Sequence, residues 1–299
     1  MALPVTEQLN EMSKGLDALA PAAILSLLLR SQVKAVNIVA HSLAEIEQAA
    51  QLLADTINKG GNIIYAAAGS SAFMGLADGL ELPGTFGISS SRIKMLIAGN
   101  TGKMSDMTGF TEDDTLQAGH DVKAANISPN DCMICISASG TTPYTLAALQ
   151  LARDAGAKSI GVANNSDTPI LNKADVAILL NTPPEIIPGS TRLGAGTAQK
   201  IALNMMSTLM GVHLGHVHDG YMVNLHVDNI KLEKRACSII ADVTGCSAAN
   251  AKIYLDKSNG SVKLAIMLAS GLSDIGKANE ILESNGYKLR PSLSVLKGL

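Results

Sequence analysis

Positive charge is not in excess in this chain. Lys and Arg number 23 against 26 Asp and Glu, a formal net charge of −3, so the electrostatic footprint that nucleic-acid binding requires is missing. No apolar run reaches the ~18 residues of a bilayer span. The start, Met1-Ala-Leu-Pro-Val-Thr-Glu7, has no basic region ahead of an apolar core, so no leader and no membrane partner is expected and the expected compartment is the cytoplasm. Cysteines number only four, which suits a reducing compartment. Cys132 and Cys135 have C-x-x-C spacing, but on a strand an offset of three turns the side chains to opposite faces. Buried strand residues are therefore expected rather than a redox or zinc pair, and Cys237 and Cys246 share no partner spacing. No Gly-Lys-Ser/Thr closes a phosphate loop and no three-glycine dinucleotide fingerprint appears, which argues against nucleotides. Internal repeats, low-complexity tracts and long linkers are also absent from the sequence.

What is present suffices for one large core with a small appended unit: 299 residues, 47% of them hydrophobic. From Pro21 to Lys59 the apolar residues Ile38, Leu43, Ile46, Ala50, Leu53 and Ile57 recur near helical spacing. Short apolar runs then alternate with helical stretches, at 62–65, 94–98, 131–136, 158–163 and 176–180. Such alternation predicts an α/β fold, a doubly wound parallel five-stranded sheet flanked by helices. After Gly220 the pattern turns helical without strands, and three short helical segments are expected beyond Thr244, split at Ser258-Asn-Gly260 and Ser284-Asn-Gly286. The predicted division is an N-terminal helical segment over 1–50, a sheet domain over 51–220, a connecting helix over 221–243 and a small helical C-terminal domain over 244–299.

Three loops carry the candidate chemistry. The run at 62–65 empties into Ala66-Ala-Ala-Gly-Ser-Ser-Ala72, and the run at 131–136 into Ser137-Ala-Ser-Gly-Thr-Thr-Pro-Tyr144. A strand feeding a hydroxyl-rich glycine loop and then a helix is how open α/β sheets hold phosphates. The candidate phosphate ligands are thus Ser70, Ser71, Ser137, Ser139, Gly140, Thr141 and Thr142. The third loop, Gly189-Ser-Thr-Arg-Leu-Gly-Ala-Gly-Thr-Ala-Gln-Lys200, precedes an apolar helix expected over 197–214. Its second half suits an anion at a helix N-terminus, and it adds Arg192 and Lys200 as candidate cations. That helix is apolar nearly all round, so its own chain or a second copy must cover it, and a homodimer is the natural expectation.

Several of these stretches closely resemble the N-acetylmuramic acid 6-phosphate etherases: Pro83-Gly-Thr-Phe-Gly87, Ser139-Gly-Thr-Thr-Pro-Tyr144, Gly189-Ser-Thr-Arg192, Ala195-Gly-Thr-Ala-Gln-Lys200, Leu203-Asn-Met-Met-Ser-Thr208 and Thr244-Gly-Cys-Ser247. Those etherases belong to the sugar isomerase superfamily of phosphosugar-binding domains, which also holds the glucokinase regulatory proteins. The resemblance implies a sugar isomerase-type domain over 51–220 and cleavage of the D-lactyl ether of N-acetylmuramic acid 6-phosphate, with a small-molecule phosphosugar as partner. It implies Glu81 and Glu112 as the catalytic carboxyls, by the pattern Asp-x-x-Glu-x-Pro-x-Thr-Phe-Gly and by a later Glu-Asp pair. Glu81 is expected to protonate the departing lactate oxygen, raised in pKa by Leu80 and Leu82, and Glu112 to take the C2 proton. It also implies a dimer with the site near the subunit interface, and neither metal nor other cofactor.

The chain departs from the family pattern at Phe73, where an arginine is usual, at Gly194 for a lysine, at Ile230 for a carboxylate, and in lacking an N-terminal Asn-Pro element. These departures leave two other classes open, a non-catalytic phosphosugar-binding regulator and an aldose–ketose isomerase. His213, His216 and His218, followed by His226, read more simply as a helix C-terminus than as metal ligands.

Overall fold

The computed structural model describes residues 3–99, 109–225, 227 and 229–297. Strands β1 (Ile63–Ala67), β2 (Ile93–Ile97), β3 (Cys132–Ser137), β4 (Lys158–Ala163) and β5 (Val176–Leu179) form one sheet, in the order β2-β1-β3-β4-β5 and parallel throughout. Continuous apolar strands of this kind need cover on both faces, and β1 is buried along its whole length. On one face Ile64, Ala66, Met133 and Cys135 pack with Val122 of α5 (Thr115–Ala125) and with Ala148, Leu149 and Ala152 of α6 (Pro143–Asp154). On the other, α2 (Leu43–Asn58) meets β1, β3 and β5. There α3 (Gly69–Gly79) comes so near that a Cβ on Gly75 would lie 3.2 Å from Ile136 and 3.4 Å from Tyr65. The doubly wound parallel five-stranded sheet expected from the alternation is the observed fold. Cys132 and Cys135 are free and buried on opposite faces, and burial pushes both thiols up.

The chain forms two compact units, one comprising the residues up to Leu80 with Ser91–Ser207, the other Glu81–Ser90 with the residues from Thr208 onward. In the first, α1 (Pro21–Ile38) and α2 accompany the sheet. The stretch Pro21–Asn58 is by length and composition apolar enough to cross a membrane. Its second half, α2, faces the sheet and buries Ile46, Ala49, Ala50 and Leu53, while α1 buries Leu27, Ser31 and Ala35 and leaves Leu25, Leu29 and Val33 exposed.

The second unit contains α4 (Leu82–Phe86), a hairpin of β6 (Val217–His218) and β7 (Tyr221–Met222), and α9 (Ile230–Thr244), α10 (Ala248–Lys257), α11 (Val262–Ala269), α12 (Ile275–Ser284) and α13 (Leu289–Lys297). Ala236, Ile239, Ile240, Leu255, Ile266, Met267 and Leu282 form its core. Two expectations fail here. A strand, β7, does occur after Gly220, and among the described residues four helices follow Thr244 rather than three. The missed break lies at 270–274, where Gly271 takes φ +115° and Asp274 caps α12 through the N–H groups of Gly276 and Lys277.

Candidate functional site

Strand order 2-1-3-4-5 puts the topological switch between β1 and β3, and open α/β sheets bind ligands beyond the carboxyl ends of the strands at that point. The two hydroxyl loops predicted from sequence leave the sheet there, from neighbouring strands paired Ala67 to Ile136. After β1, Gly69 opens α3 at φ +53°, with Ser70 and Ser71 in the first turn. A Cβ on Gly69 would overlap Oε1 of Glu112, so a side chain at 69 is strained by φ and would have to displace the Glu112 carboxyl, which sits over the start of α3. Burial, and secondarily Asp113, hold the Glu112 carboxyl above the usual range. Glu112 and the first hydroxyl loop are thus brought together.

After β3 the second loop forms a hydroxyl cluster. Ser137 Oγ lies 2.7 Å from Thr142 Oγ1 and 3.2 Å from Ser139 Oγ. The Gly140 N–H donates to Ser137 Oγ at 3.0 Å, and the Thr141 N–H and hydroxyl donate to Ser139 Oγ at 3.2 and 3.1 Å. Gly140 takes φ +69°, and a Cβ there would overlap the Thr168 side chain. Thr142 then precedes Pro143, whose fixed φ suits the first position of α6. Thr141 is exposed and Ser139 and Thr142 half-buried, while Ser137 and Gly140 are buried, and the hydroxyl and N–H groups of the loop bond to one another.

The third loop differs from its sequence reading. Helix α8 spans Gly194–His213, beginning ahead of Thr197. Its N-terminus is already occupied: the N–H groups of Gly194 and Ala195 donate to Glu185 at 2.9 and 2.8 Å. The expected anion is the protein's own buried carboxylate, in which burial raises the pKa and the two backbone bonds oppose the rise. Arg192 is exposed, with no ion pair among the described residues, and Lys200 is exposed on α8 with its charge acting on Asp78. Glu185→Gln should lower unfolding free energy by about 1–2 kcal/mol, as loss of a charged helix cap does. Urea unfolding would measure it, and an unchanged midpoint would show the cap to be dispensable.

Local reading missed two residues. Glu185 was hidden because its bonds reach nine and ten positions ahead. Asp78, 3% exposed, accepts from Tyr65 at 2.7 Å, Asn204 at 2.7 Å and Ser207 at 2.8 Å. It thereby locks α3 to β1 and α8; its only sequence signal is its place three residues before Glu81.

Glu81 belongs to the second unit, where it precedes α4. The apolar setting expected for it is half realised, since Leu82 is buried but Glu81 itself is exposed and Leu80 is 66% exposed. The chain continues from it along a cavity of about 630 Å³ with an uncharged lining that includes Pro83, Gly84, Asn224 and Ser261. Of the histidines, His216 is neutral, pushed down to about 4 by burial and by Lys263, while His218 lies 3.6 Å from Asp219. His226 lies outside the described residues.

The SIS domain family matches residues 103–214, the stretch that carries β3 to β5 and the second hydroxyl loop, which makes this a SIS-domain protein. A candidate phosphosugar isomerase involved in capsule formation from Bacteroides fragilis shares the fold, with TM-score 0.54 and 20% identity over 70% of this chain and 98% of that one. The N-acetylmuramic acid 6-phosphate etherase of Deinococcus radiodurans is 40% identical over 94% of this chain and 93% of its own length. That of Geobacillus thermodenitrificans is 38% identical over 96% and 98%. The chain belongs to the N-acetylmuramic acid 6-phosphate etherase family.

Proposed function

We propose that this chain is a carbon–oxygen lyase that cleaves the D-lactyl ether of N-acetylmuramic acid 6-phosphate, in the recycling of cell-wall amino sugars. The reading rests on one observation above all: a carboxyl with a raised pKa, Glu112 of the 3-10 turn Gly109–Asp113, sits over the opening turn of α3, which follows the strand paired with the one that carries the second hydroxyl loop, in a chain of this family. Glu112 removes the C2 proton of the open-chain sugar. The electron pair forms the C2–C3 double bond, the C3–O bond breaks, and Glu81 protonates the departing lactyl oxygen. Water then adds at C3 and a proton returns to C2, giving N-acetylglucosamine 6-phosphate and D-lactate. Incubation of the purified protein with N-acetylmuramic acid 6-phosphate and assay of D-lactate tests this directly; no lactate under any pH between 5 and 9 (about two units either side of neutrality) would sink it.

The phosphate is held by Ser70, Ser71, Ser137, Ser139, Gly140, Thr141 and Thr142, with Arg192 and Lys200 supplying positive charge. A dianion takes several short charge-assisted bonds, and the Ser137–Thr142 cluster offers hydroxyl and N–H donors already gathered. Ser139→Ala should weaken binding of N-acetylglucosamine 6-phosphate by about 1.5–3 kcal/mol, the worth of one bond to a charged group. Titration calorimetry measures it, and equal affinity of the wild type for the unphosphorylated sugar would defeat the assignment.

The working form is a cytoplasmic homodimer with the site near the interface. Helix α8 supports this only through Met205 and Val212, which are exposed, because Ala198, Ala202, Leu203, Met206 and Met210 are covered within the chain. Further support comes from Leu25, Leu29 and Val33, exposed at i, i+4 spacing on α1, and from exposed Phe73 and Leu80.

A further inference from the structure

A short N-terminal strap, the 3-10 turn Val5–Glu7, passes between two loops assigned above to the ligand. Thr6 is fully buried and bonded on both sides. Its hydroxyl accepts from Asn165 Nδ2 at 3.1 Å, its N–H donates to Asn165 Oδ1 at 3.4 Å, and its carbonyl accepts from the Gly189 N–H at 2.9 Å. Asn165, itself 5% exposed, sends its other amide hydrogen to the carbonyl of Ala138, at 2.9 Å. Ala138 stands between Ser137 and Ser139, and the Asn164 N–H donates to the same carbonyl at 3.0 Å. On its other flank the strap touches Gly189 closely enough that a Cβ there, already disfavoured by φ +76°, would lie 3.0 Å from Glu7 Oε2.

We infer that Thr6 is a positioning residue for phosphosugar binding: through Asn165 it fixes the Ser137–Thr142 loop, and through Gly189 it ties that loop to the one carrying Arg192. Two observations favour positioning over mere packing. The bonds converge on the backbone carbonyl that sets where Ser137 and Ser139 stand, and the strap bridges loops that are far apart in sequence but serve one ligand. Donor geometry in such a site must hold to a fraction of an ångström for charge-assisted bonds to keep their strength. Without the Thr6 hydroxyl, Asn165 keeps its bond to the Ala138 carbonyl and the longer one from the Thr6 N–H, but one hydrogen of its buried amide loses its acceptor, which weakens its hold on the loop.

The inference rests on the phosphosugar reading above, and the test separates the two. Thr6→Val keeps the branched shape and removes the hydroxyl, and Thr6→Ser restores it. Binding of N-acetylglucosamine 6-phosphate is followed by calorimetry beside the thermal midpoint of each variant. Thr6→Val should bind about three- to tenfold more weakly, with KM raised and kcat near wild type, and Thr6→Ser should recover the affinity. A purely structural role would lower the midpoint and the active fraction while leaving Kd and KM unchanged, and that pattern overturns the inference. Should Thr6→Val fail to fold, Asn165→Ala and its double variant with Thr6→Ser take its place. Asn165→Ala must weaken binding, and Thr6→Ser must add nothing further; unaltered binding in Asn165→Ala overturns the inference too. If the wild type itself fails to bind the phosphosugar, the underlying reading fails rather than the role of Thr6 within it.

Discussion

Glu112→Gln should cut D-lactate release by about 10²- to 10⁴-fold, the range that one positioned acid or base contributes. The amide keeps the shape of the side chain over Gly69 and cannot accept a proton from carbon. Binding of N-acetylglucosamine 6-phosphate should survive, because the Ser137–Thr142 cluster is bonded without help from Glu112. The carboxyl also sets a pH signature. A base works only when ionised, and burial together with Asp113 raises its pKa. kcat/KM of the wild type should therefore fall as pH drops through a value above that of an ordinary carboxyl, and the residual activity of Glu112→Gln should lack that acidic limb. Exchange of the C2 hydrogen in deuterated water gives the sharper readout. It should vanish with Glu112→Gln, and exchange at the wild-type rate would remove this residue from the C2 step.

Much of the sheet was legible because each strand is a short apolar run bounded by loop residues, and β1 to β5 begin and end within two residues of the sequence reading. The hydroxyl loops were legible for the same reason: they follow strands directly, so sequence order fixes their place at the carboxyl edge of the sheet. What escaped depends on partners remote in sequence. Helix α8 begins early because Glu185 caps it from nine residues upstream. The anion inferred for that helix was therefore real in kind but misassigned in source. The β6–β7 hairpin is only two residues on each strand, too short to show alternation. The apolar setting of Glu81 was inferred from Leu80 and Leu82 as neighbours. Adjacent residues on a helical turn point different ways, however, and only Leu82 turns inward.

Glu81→Gln should also reduce D-lactate release by about 10²- to 10⁴-fold, for a different reason. The lactyl oxygen leaves as a poor group unless a proton reaches it as the C3–O bond breaks, and glutamine has none to give. Removal of the C2 proton does not need that acid, so exchange of the C2 hydrogen in deuterated water should persist in Glu81→Gln while lactate release stops. The contrast with Glu112→Gln separates the two carboxyls by chemistry rather than by position. Loss of both lactate release and exchange would exchange their roles, and release at the wild-type rate would take Glu81 out of the reaction. Its exposure in the single chain adds a second expectation. Exposed Leu80, its chain neighbour, and exposed Phe73 offer the apolar surface that the proposed second copy would cover. If the proposed homodimer is the working form, specific activity should fall on dilution through its dissociation range, with lactate release failing before C2 exchange does. Activity per chain that stays constant while sedimentation shows a monomer would mean that Glu81 acts without a second subunit.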